Sequence, residues 1–181
     1  MRFSLYELRG GADVAAGGAV VYDVAANEAR LAPTRVGGHA VVWSLDRDPL
    51  SDGGEAALSV EVDLGAASWL VRCDRVDFPP GGIAYRHVHP GPGIRCLLSG
   101  ELTIDSPDGV RTYGAGEAWF EDAGHPVLAT ASATEDTAFV RVLLLPSEWA
   151  GKRTIRYLDA ADEAKPKLQR ATVLLEEPLA R

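Results

Sequence analysis

Residues 81–104 read GGIAYRHVHPGPGIRCLLSGELTI, and this stretch decides the predicted fold. Short apolar runs alternate with Gly and Pro, which is typical of strands joined by tight turns. Residues two apart on a strand point to the same side, so Tyr85, His87 and His89 are predicted to share one face. Two imidazoles in this arrangement can chelate one metal ion. Short patterns of this kind also occur by chance, so hydrogen-bonded histidines near a turn are the alternative.

The same alternation of apolar runs and turn residues continues on both sides of this stretch. Predicted strands are Ala40–Leu45, Ala57–Val62, Ser68–Phe78, Ile83–His89, Ile94–Leu98, Glu101–Asp105, Glu117–Phe120, Thr137–Leu145 and Thr172–Leu175. No long segment repeats apolar residues at helical spacing. A short helix is predicted at Ala160–Ala164, with Asp159 as its cap. The sequence therefore predicts an antiparallel all-β protein, either a sandwich or a barrel.

Composition and charge narrow the classes of function. The 181 residues fit a single domain with a substantial core. The net charge is −8 and no basic block stands out, so a nucleic-acid partner is not expected. No apolar segment has transmembrane length, so no membrane partner is expected. Glu7 and Arg9 interrupt the N-terminal apolar residues, which predicts a cytoplasmic protein without a secretory signal. Cys73 and Cys96 lie in apolar runs and are predicted to be buried free thiols.

A second stretch, GAGEAWFEDAGHPV at residues 114–127, contains a glycine, a short strand, a turn and a histidine. In order and spacing, the two stretches resemble the two sequence motifs of the cupin family, over about residues 66–146. The resemblance implies a double-stranded β-helix, or jelly-roll barrel. Residues 1–65 are then N-terminal strands that pack on the barrel, and residues 147–181 are a C-terminal extension with a further strand. The whole chain is expected to form one domain.

The resemblance also implies a metal site. Cupin metal sites take two histidines and a glutamate from the first motif and one histidine from the second. His87 and His89 match, but the glutamate position falls on Gly93 and the third histidine position falls on Val127. His125 lies two residues before that position, so it keeps the strand parity and requires a bent loop to reach inward. The implied ligands are the three histidines, for a divalent iron, zinc, nickel, copper or manganese ion.

Four further residues are candidates for the site. Arg95 is predicted to share a face with the glutamate position, where it suits a ligand carboxylate or phosphate and repels a metal ion. The alternative is that Arg95 is a solvated or ion-paired residue of the strand. Tyr85 and Trp119 are candidate ligand contacts, although aromatic residues more often fill a core. Tyr85 and Glu121 are the candidate catalytic residues. Glu121 is alternatively a replacement metal ligand or an exposed residue.

Three functions remain open at this stage. The first is a metal-dependent enzyme of oxygenase, isomerase or lyase type that acts on a small organic molecule. The missing carboxylate argues against oxygenase chemistry in particular. The second is a non-catalytic cupin that binds or senses a small molecule. The third is an oligomerising cupin with a vestigial pocket, and the terminal strands predict a homodimer. His39 has no assigned role and is predicted to cap the barrel or contact a partner subunit.

Overall fold

The computed structural model describes residues 1–15, 18–46, 48–50, 54–65 and 68–179, so residues 66 and 67 at the start of the predicted barrel lie outside it. Within these ranges the chain is almost entirely β-structure, which confirms the predicted class. The strands are β1 (Arg2–Leu8), β2 (Ala12–Val14), β3 (Val20–Asp23), β4 (Glu28–Leu31), β5 (Thr34–Val36), β6 (Ala40–Leu45), β7 (Leu58–Glu61), β8 (Trp69–Phe78), β9 (Ile83–Val88), β10 (Gly93–Ser99), β11 (Glu101–Ser106), β12 (Gly109–Gly114), β13 (Ala118–Glu121), β14 (Val127–Ala131), β15 (Thr137–Pro146), β16 (Arg156–Tyr157) and β17 (Arg170–Pro178).

One α-helix, α1 (Ala160–Ala164), lies between the last two strands, and a 3₁₀ turn spans Ser147–Trp149. The side chain of Asp159 accepts a hydrogen bond from the backbone N–H of Ala161 at 2.8 Å, as the predicted cap requires. Helix α1 has five residues. Among the described residues there is no helix long and apolar enough to cross a membrane.

Strands β8 to β15 form a jelly roll. One sheet has the order β13-β10-β15-β8-β17, and the facing sheet has the order β12-β11-β14-β9-β16. Without the last strand of each sheet, this is the arrangement of eight strands in two Greek keys that defines a jelly roll. The predicted jelly-roll barrel is therefore confirmed. Strands β16 and β17 each extend one sheet by a further strand at the C-terminal end of the chain.

The N-terminal strands form a third layer. Five of them make a sheet in the order β4-β3-β6-β1-β7, and β2 pairs with β5. This layer packs on the outer face of the sheet that contains β8, β10 and β15. The shared core consists of Phe3, Leu5, Val20, Tyr22, Val41, Trp43, Val62, Leu64, Val71, Cys73, Ile94, Cys96, Val140, Val142 and Leu144. Trp43 Nε1 donates to the carbonyl of Ile94 at 3.1 Å. Both cysteines are buried free thiols, as predicted, and burial raises the pKa of Cys96 to about 12.

Strand β9 contains a β-bulge that decides which side chains enter the barrel. On β14, Val127 pairs with His87. Ala129, two residues later on β14, pairs with Ala84, three residues earlier on β9. The extra residue reverses the alternation of faces, so Ala84 lies inside the barrel together with His87. Tyr85 is consequently not among the described residues that line the interior. The prediction that Tyr85 shares a face with the histidines is wrong, because period two holds only for an unbulged strand.

Candidate functional site

The jelly roll encloses a cavity of about 620 Å³, within the usual size of a site for a small organic molecule. Its lining divides into an apolar part and a polar part. The apolar part includes Val76, Phe78, Ala84, Leu102, Ile104, Val127, Ala129 and Phe139. The polar part includes Arg72, Asp74, His87, His89, Arg95, Trp119, Glu121 and Arg141. A ligand inside the barrel therefore meets apolar surface over one region and charged groups over another.

The register of one sheet assembles most of the polar part. Arg141 on β15 pairs with Asp74 on β8 and with Arg95 on β10, and Arg95 also pairs with Trp119 on β13. These four residues form a row across the sheet, with neighbouring strands about 4.8 Å apart. Glu121 lies two residues beyond Trp119, in a parallel row and on the same face. Side chains far apart in sequence are thus adjacent inside the barrel.

Arg95 is fully buried and forms an ion pair with Glu121. Its Nη2 is 2.6 Å from Glu121 Oε2, and its Nη1 donates to the Gly93 carbonyl at 2.6 Å. The other carboxylate oxygen, Glu121 Oε1, accepts a hydrogen bond from Trp119 Nε1 at 2.9 Å. Burial lowers the pKa of Arg95 to about 10, so the guanidinium remains a cation at neutral pH. Glu121 is buried rather than exposed, and both of its oxygens are engaged.

Gly93 leaves the space that Arg95 occupies. A Cβ at this position would lie 2.8 Å from the Val142 carbonyl oxygen, 2.5 Å from a methyl of Leu143 and 3.0 Å from Arg95 Nη1. A longer side chain, including the glutamate that the cupin resemblance assigns here, would need the neighbouring strand to move. The carboxylate next to this position is instead Glu121, which is the cross-strand partner of Gly93.

Arg141 links a second carboxylate to one of the histidines. Its Nε and Nη2 donate to Asp74 Oδ2 at 3.2 and 2.9 Å. Its Nη1 lies 3.1 Å from His89 Nε2, and since arginine can only donate, that nitrogen is the acceptor. His89 Nδ1 then donates to the Thr154 carbonyl at 3.1 Å. Burial and the Arg141 cation hold the pKa of His89 well below its usual value, so this histidine is neutral.

His87 is also neutral, and it lines the cavity. Its Nδ1 donates to the Tyr85 carbonyl at 2.7 Å, which leaves the lone pair on Nε2. Burial lowers the pKa of His87 to about 4. The rings of His87 and His89 meet edge to face with their centroids 4.9 Å apart.

His125 does not join the other two histidines. Its Nε2 lies 3.4 Å from Asp108 Oδ2, and it lines a separate pocket of about 210 Å³ beside β12 and β13. The loop before β14 passes close to His89, since Gly124 N–H donates to the His89 carbonyl at 2.8 Å, yet the His125 side chain turns outward. Val127, which pairs with His87, is the residue of this segment that lines the cavity. The prediction that His125 bends inward is therefore wrong.

The interior does not fit a divalent metal ion. Within the part of the chain that the structure describes, no group of three His, Cys, Asp or Glu residues is close enough to hold one. His89 Nε2, which would have to bind the metal, already accepts a hydrogen bond from Arg141. The guanidinium group of Arg141, whose Nη1 is 3.1 Å from that nitrogen, lies where the metal ion would have to bind.

Sequence reasoning missed three charged residues of the site. Arg72, Asp74 and Arg141 lie in the runs WLVRCDRVDF and FVRVLLL, which were predicted only as strands. Charged residues at every second position of an otherwise apolar strand indicate a polar inner face, and that signal was present. Arg72 donates to Glu176 on β17 and to the backbone carbonyls of Trp149 and Lys152. It thereby connects the C-terminal extension to the cavity.

The structure brings together five of the predicted site residues. His87, His89, Arg95, Trp119 and Glu121 all line the cavity, whereas Tyr85 and His125 do not. Tyr85 packs outside, with Lys165 Nζ 4.5 Å from its ring centre. His39 is also remote from the cavity, and its Nε2 is 3.0 Å from Glu7 Oε1.

Several solved structures are similar to this chain. The polyketide cyclase RemF from Streptomyces resistomycificus is 21% identical, with a TM-score of 0.40, over 52% of this chain and 63% of that one. A cupin domain from Bordetella pertussis Tohama I is 21% identical, with a TM-score of 0.37, over 46% of this chain and 86% of that one. An oxalate oxidase in complex with the substrate analogue glycolate is 24% identical, with a TM-score of 0.42, over 53% of this chain and 52% of that one.

The chain thus spans less than two thirds of the polyketide cyclase and about half of the oxalate oxidase. The cupin domain belongs to the family that the two sequence motifs resemble. No protein family matches the chain in a comparison with family models. No curated protein matches it either.

Proposed function

We propose that this chain binds a small organic molecule inside the barrel, through hydrogen bonds from its buried polar groups and without a bound metal ion. The observation that carries the proposal is the pair Arg95 and Arg141, which lie in the cavity lining beside the two histidines. Buried cationic groups fix the position of a polar head group. The apolar part of the lining accommodates the body of the ligand.

The interior charges are balanced, which limits the charge of the ligand. Arg95 pairs with Glu121, Arg141 with Asp74, and Arg72 with Glu176. Both histidines are neutral because their pKa values are lowered by burial. A ligand with several charges would leave uncompensated charge in a poorly solvated space. A neutral or singly charged molecule is the better match.

The mouth of the cavity favours a negatively charged group over a positive one. Lys152, Arg153 and Lys167 line it on the C-terminal side, together with the acidic Glu163. Arg153 pairs with Glu163 at 2.7 Å, so the remaining charges are those of the two lysines. The chain as a whole carries a net charge of −8, so this basic mouth is a local reversal of sign. Such a reversal attracts anions to the opening.

A fluorescent dye with an apolar body and one sulfonate, 8-anilinonaphthalene-1-sulfonate, tests binding in the cavity. We expect the full chain to bind the dye and Ala129→Phe, which fills the apolar part of the lining, to weaken binding about tenfold or more. Ala133→Phe is the matched control, because Ala133 is exposed in the loop after β14. Equal dye binding by both variants, or none by the native chain, would contradict the proposal. Ala84→Leu replaces Ala129→Phe if the latter does not fold.

Metal content provides a second test. Protein purified without chelator is expected to contain far less than one metal ion per chain, and dye binding is expected to survive chelator treatment. Near-stoichiometric metal that is lost in His87→Ala would support the metal-dependent class instead.

A metal-free enzyme that transfers protons is the second candidate function. The observation in its favour is His87, a neutral residue of the cavity lining whose hydrogen bond to the Tyr85 carbonyl leaves the lone pair on the nitrogen Nε2. Such a nitrogen can accept a proton from a bound molecule. Incorporation of solvent deuterium into a bound ligand, lost in His87→Gln with ligand affinity retained, would distinguish the enzyme from a binding protein.

A further inference from the structure

Three buried side-chain polar atoms have no hydrogen-bond partner among the described residues, and all belong to residues that line the cavity. They are Asp74 Oδ1, Arg95 Nη2 and Gln169 Oε1. Most buried polar atoms in folded proteins are hydrogen-bonded. Leaving one without a partner costs about 1–3 kcal/mol. Their concentration in one cavity indicates groups that a ligand satisfies.

The unpartnered carboxylate oxygen of Asp74 requires a hydrogen-bond donor. Its Oδ2 accepts both hydrogen bonds from Arg141, and its Oδ1 accepts none. The side chain is almost completely buried. An ionised carboxylate only accepts hydrogen bonds, so the ligand must present a hydroxyl or an N–H to this oxygen.

The guanidinium group of Arg95 requires a hydrogen-bond acceptor. Its Nη1 is used by the Gly93 carbonyl. Its Nη2 forms the ion pair with Glu121 Oε2 at 2.6 Å but makes no hydrogen bond among the described residues. A guanidinium only donates, so the ligand must present an oxygen acceptor. A carboxylate fits better than a neutral carbonyl, because charge-assisted hydrogen bonds are stronger and the mouth of the cavity is basic.

The two unfilled positions lie on the same wall of the cavity. Asp74 and Arg95 flank Arg141 in one cross-strand row, so both side chains rise from the same face of the same sheet. A head group that lies over Arg141 is therefore placed between the two. Gln169 lies at the opening, where its Nε2 donates to the Tyr157 hydroxyl at 3.1 Å. Its Oε1 is buried without a partner and is a further acceptor for a ligand donor.

We propose that the ligand is a hydroxycarboxylic acid with an apolar body. Its hydroxyl donates to Asp74 Oδ1, its carboxylate accepts from Arg95 Nη2, and its body packs on Phe78, Leu102 and Phe139. This inference rests on the proposed binding function and specifies its ligand class. One carboxylate also agrees with the limit of a single ligand charge that the balanced interior sets.

Three compounds with one phenyl ring separate the two contacts. Mandelate carries the hydroxyl and the carboxylate, phenylacetate lacks the hydroxyl, and 1-phenylethane-1,2-diol lacks the carboxylate. Displacement of the bound dye from the full chain measures their affinities. Mandelate is expected to bind about tenfold or more tightly than either of the others. Equal affinities of mandelate and phenylacetate would overturn the inference.

Two variants assign the contacts to residues. Asp74→Asn is expected to abolish the advantage of mandelate over phenylacetate, so that the two acids bind equally. Arg95→Met is expected to weaken both acids relative to the diol. Asp77→Asn is the control, because Asp77 lies on the same strand but pairs with Arg75 outside the cavity. If a variant does not fold, the comparison of the three compounds on the native chain still decides the inference.

The outcomes separate this inference from the proposal on which it rests. If Ala129→Phe weakens dye binding but mandelate has no advantage, the cavity binds ligands and the hydroxycarboxylate class is wrong. If the dye does not bind in the cavity at all, the proposed binding function fails, and the inference fails with it.

Discussion

The two faces of β8, β10 and β15 differ in chemistry at the centre of the sheet, where both are buried. The outer faces carry apolar residues there and pack against the N-terminal sheet. The inner faces carry charged residues beside apolar ones such as Phe78 and Phe139, and they line the cavity. The outward residues include Val71, Cys73, Ile94, Cys96, Val140 and Val142. The inward residues include Arg72, Asp74, Arg95 and Arg141. The same strands therefore contribute to two buried regions, the core under the N-terminal sheet and the cavity of the barrel, because successive side chains of a strand point to opposite sides.

The comparison indicates that the two faces serve different purposes. Each fully buried apolar side chain on the outer face stabilises the fold by about 1.5–3 kcal/mol. The ion pairs on the inner face have to overcome the desolvation of both charges, and such pairs are often no more stable than apolar residues of similar volume. The outer face thus accounts for more of the stability, and the charged inner face suits the proposed binding of a ligand.

The largest loss of stability is expected from a substitution in the core between the N-terminal sheet and the barrel. Trp43→Ala removes a fully buried indole and its hydrogen bond to the Ile94 carbonyl. The free energy of unfolding should fall by about 4–6 kcal/mol, measured by urea denaturation. Val110→Ala is the control, since Val110 is 68% exposed and should lose less than about 0.5 kcal/mol. A loss of similar size in both variants would contradict the third layer as a source of stability.

Breaking the ion pair inside the barrel should lower the free energy of unfolding almost as much, and removing both charges should restore most of the loss. Glu121→Leu leaves the buried Arg95 cation without its counter-charge and should cost about 3–5 kcal/mol. The double variant Arg95→Met, Glu121→Leu removes both charges and should regain most of that loss. Its binding of mandelate should be lost all the same. A double variant as unstable as the single one, by urea denaturation, would show that this ion pair contributes to stability as the outer core does.

Acidic pH should lower the free energy of unfolding through the two buried histidines of the cavity. The fold lowers the pKa of His87 to about 4, whereas in the unfolded chain the pKa is about 6.5. Between these values the unfolded state binds a proton that the folded state does not, so stability falls as the pH falls. The full loss from His87 is roughly 3 kcal/mol. Urea denaturation from pH 7.5 to pH 4.5 should show a shallower dependence in His87→Gln than in the native chain.

His89 should add to the same trend, because burial and Arg141 also lower its pKa. His125→Gln provides the control, since its side chain is partly exposed and lies outside the cavity. An unchanged pH dependence in His87→Gln would contradict a neutral, buried His87.

The smallest effect is expected at His125, the histidine of the second motif. His125→Ala breaks a contact with Asp108, whose side chain is 86% exposed, and should change the free energy of unfolding by at most about 1 kcal/mol. Dye and mandelate binding should not change, whereas His89→Ala should weaken both because Arg141 loses a partner. Equal effects on binding from the two variants would place His125 in the site after all.

The periodicity of the sequence predicted six of the eight strands of the barrel and missed β12 and β14. Every predicted strand overlaps an observed one, and α1 begins after the predicted cap. Prediction failed where one inserted residue or one loop changed the direction of a side chain. The bulge in β9 moves Tyr85 out of the barrel, and the loop before β14 turns His125 toward Asp108. Neither event alters the local pattern of apolar and polar residues, so the pattern cannot report them.

The sequence by itself determined the all-β class, the positions of the two motifs and the presence of His87, His89 and Arg95 near one another. These features depend on the alternation of side chains along a strand, which is a local property. Only the tertiary structure decided that Asp74, Arg141 and Glu121 meet them inside the barrel. That meeting depends on which strands pair and in which register, and residues that are far apart in sequence fix the register through the packing of both faces.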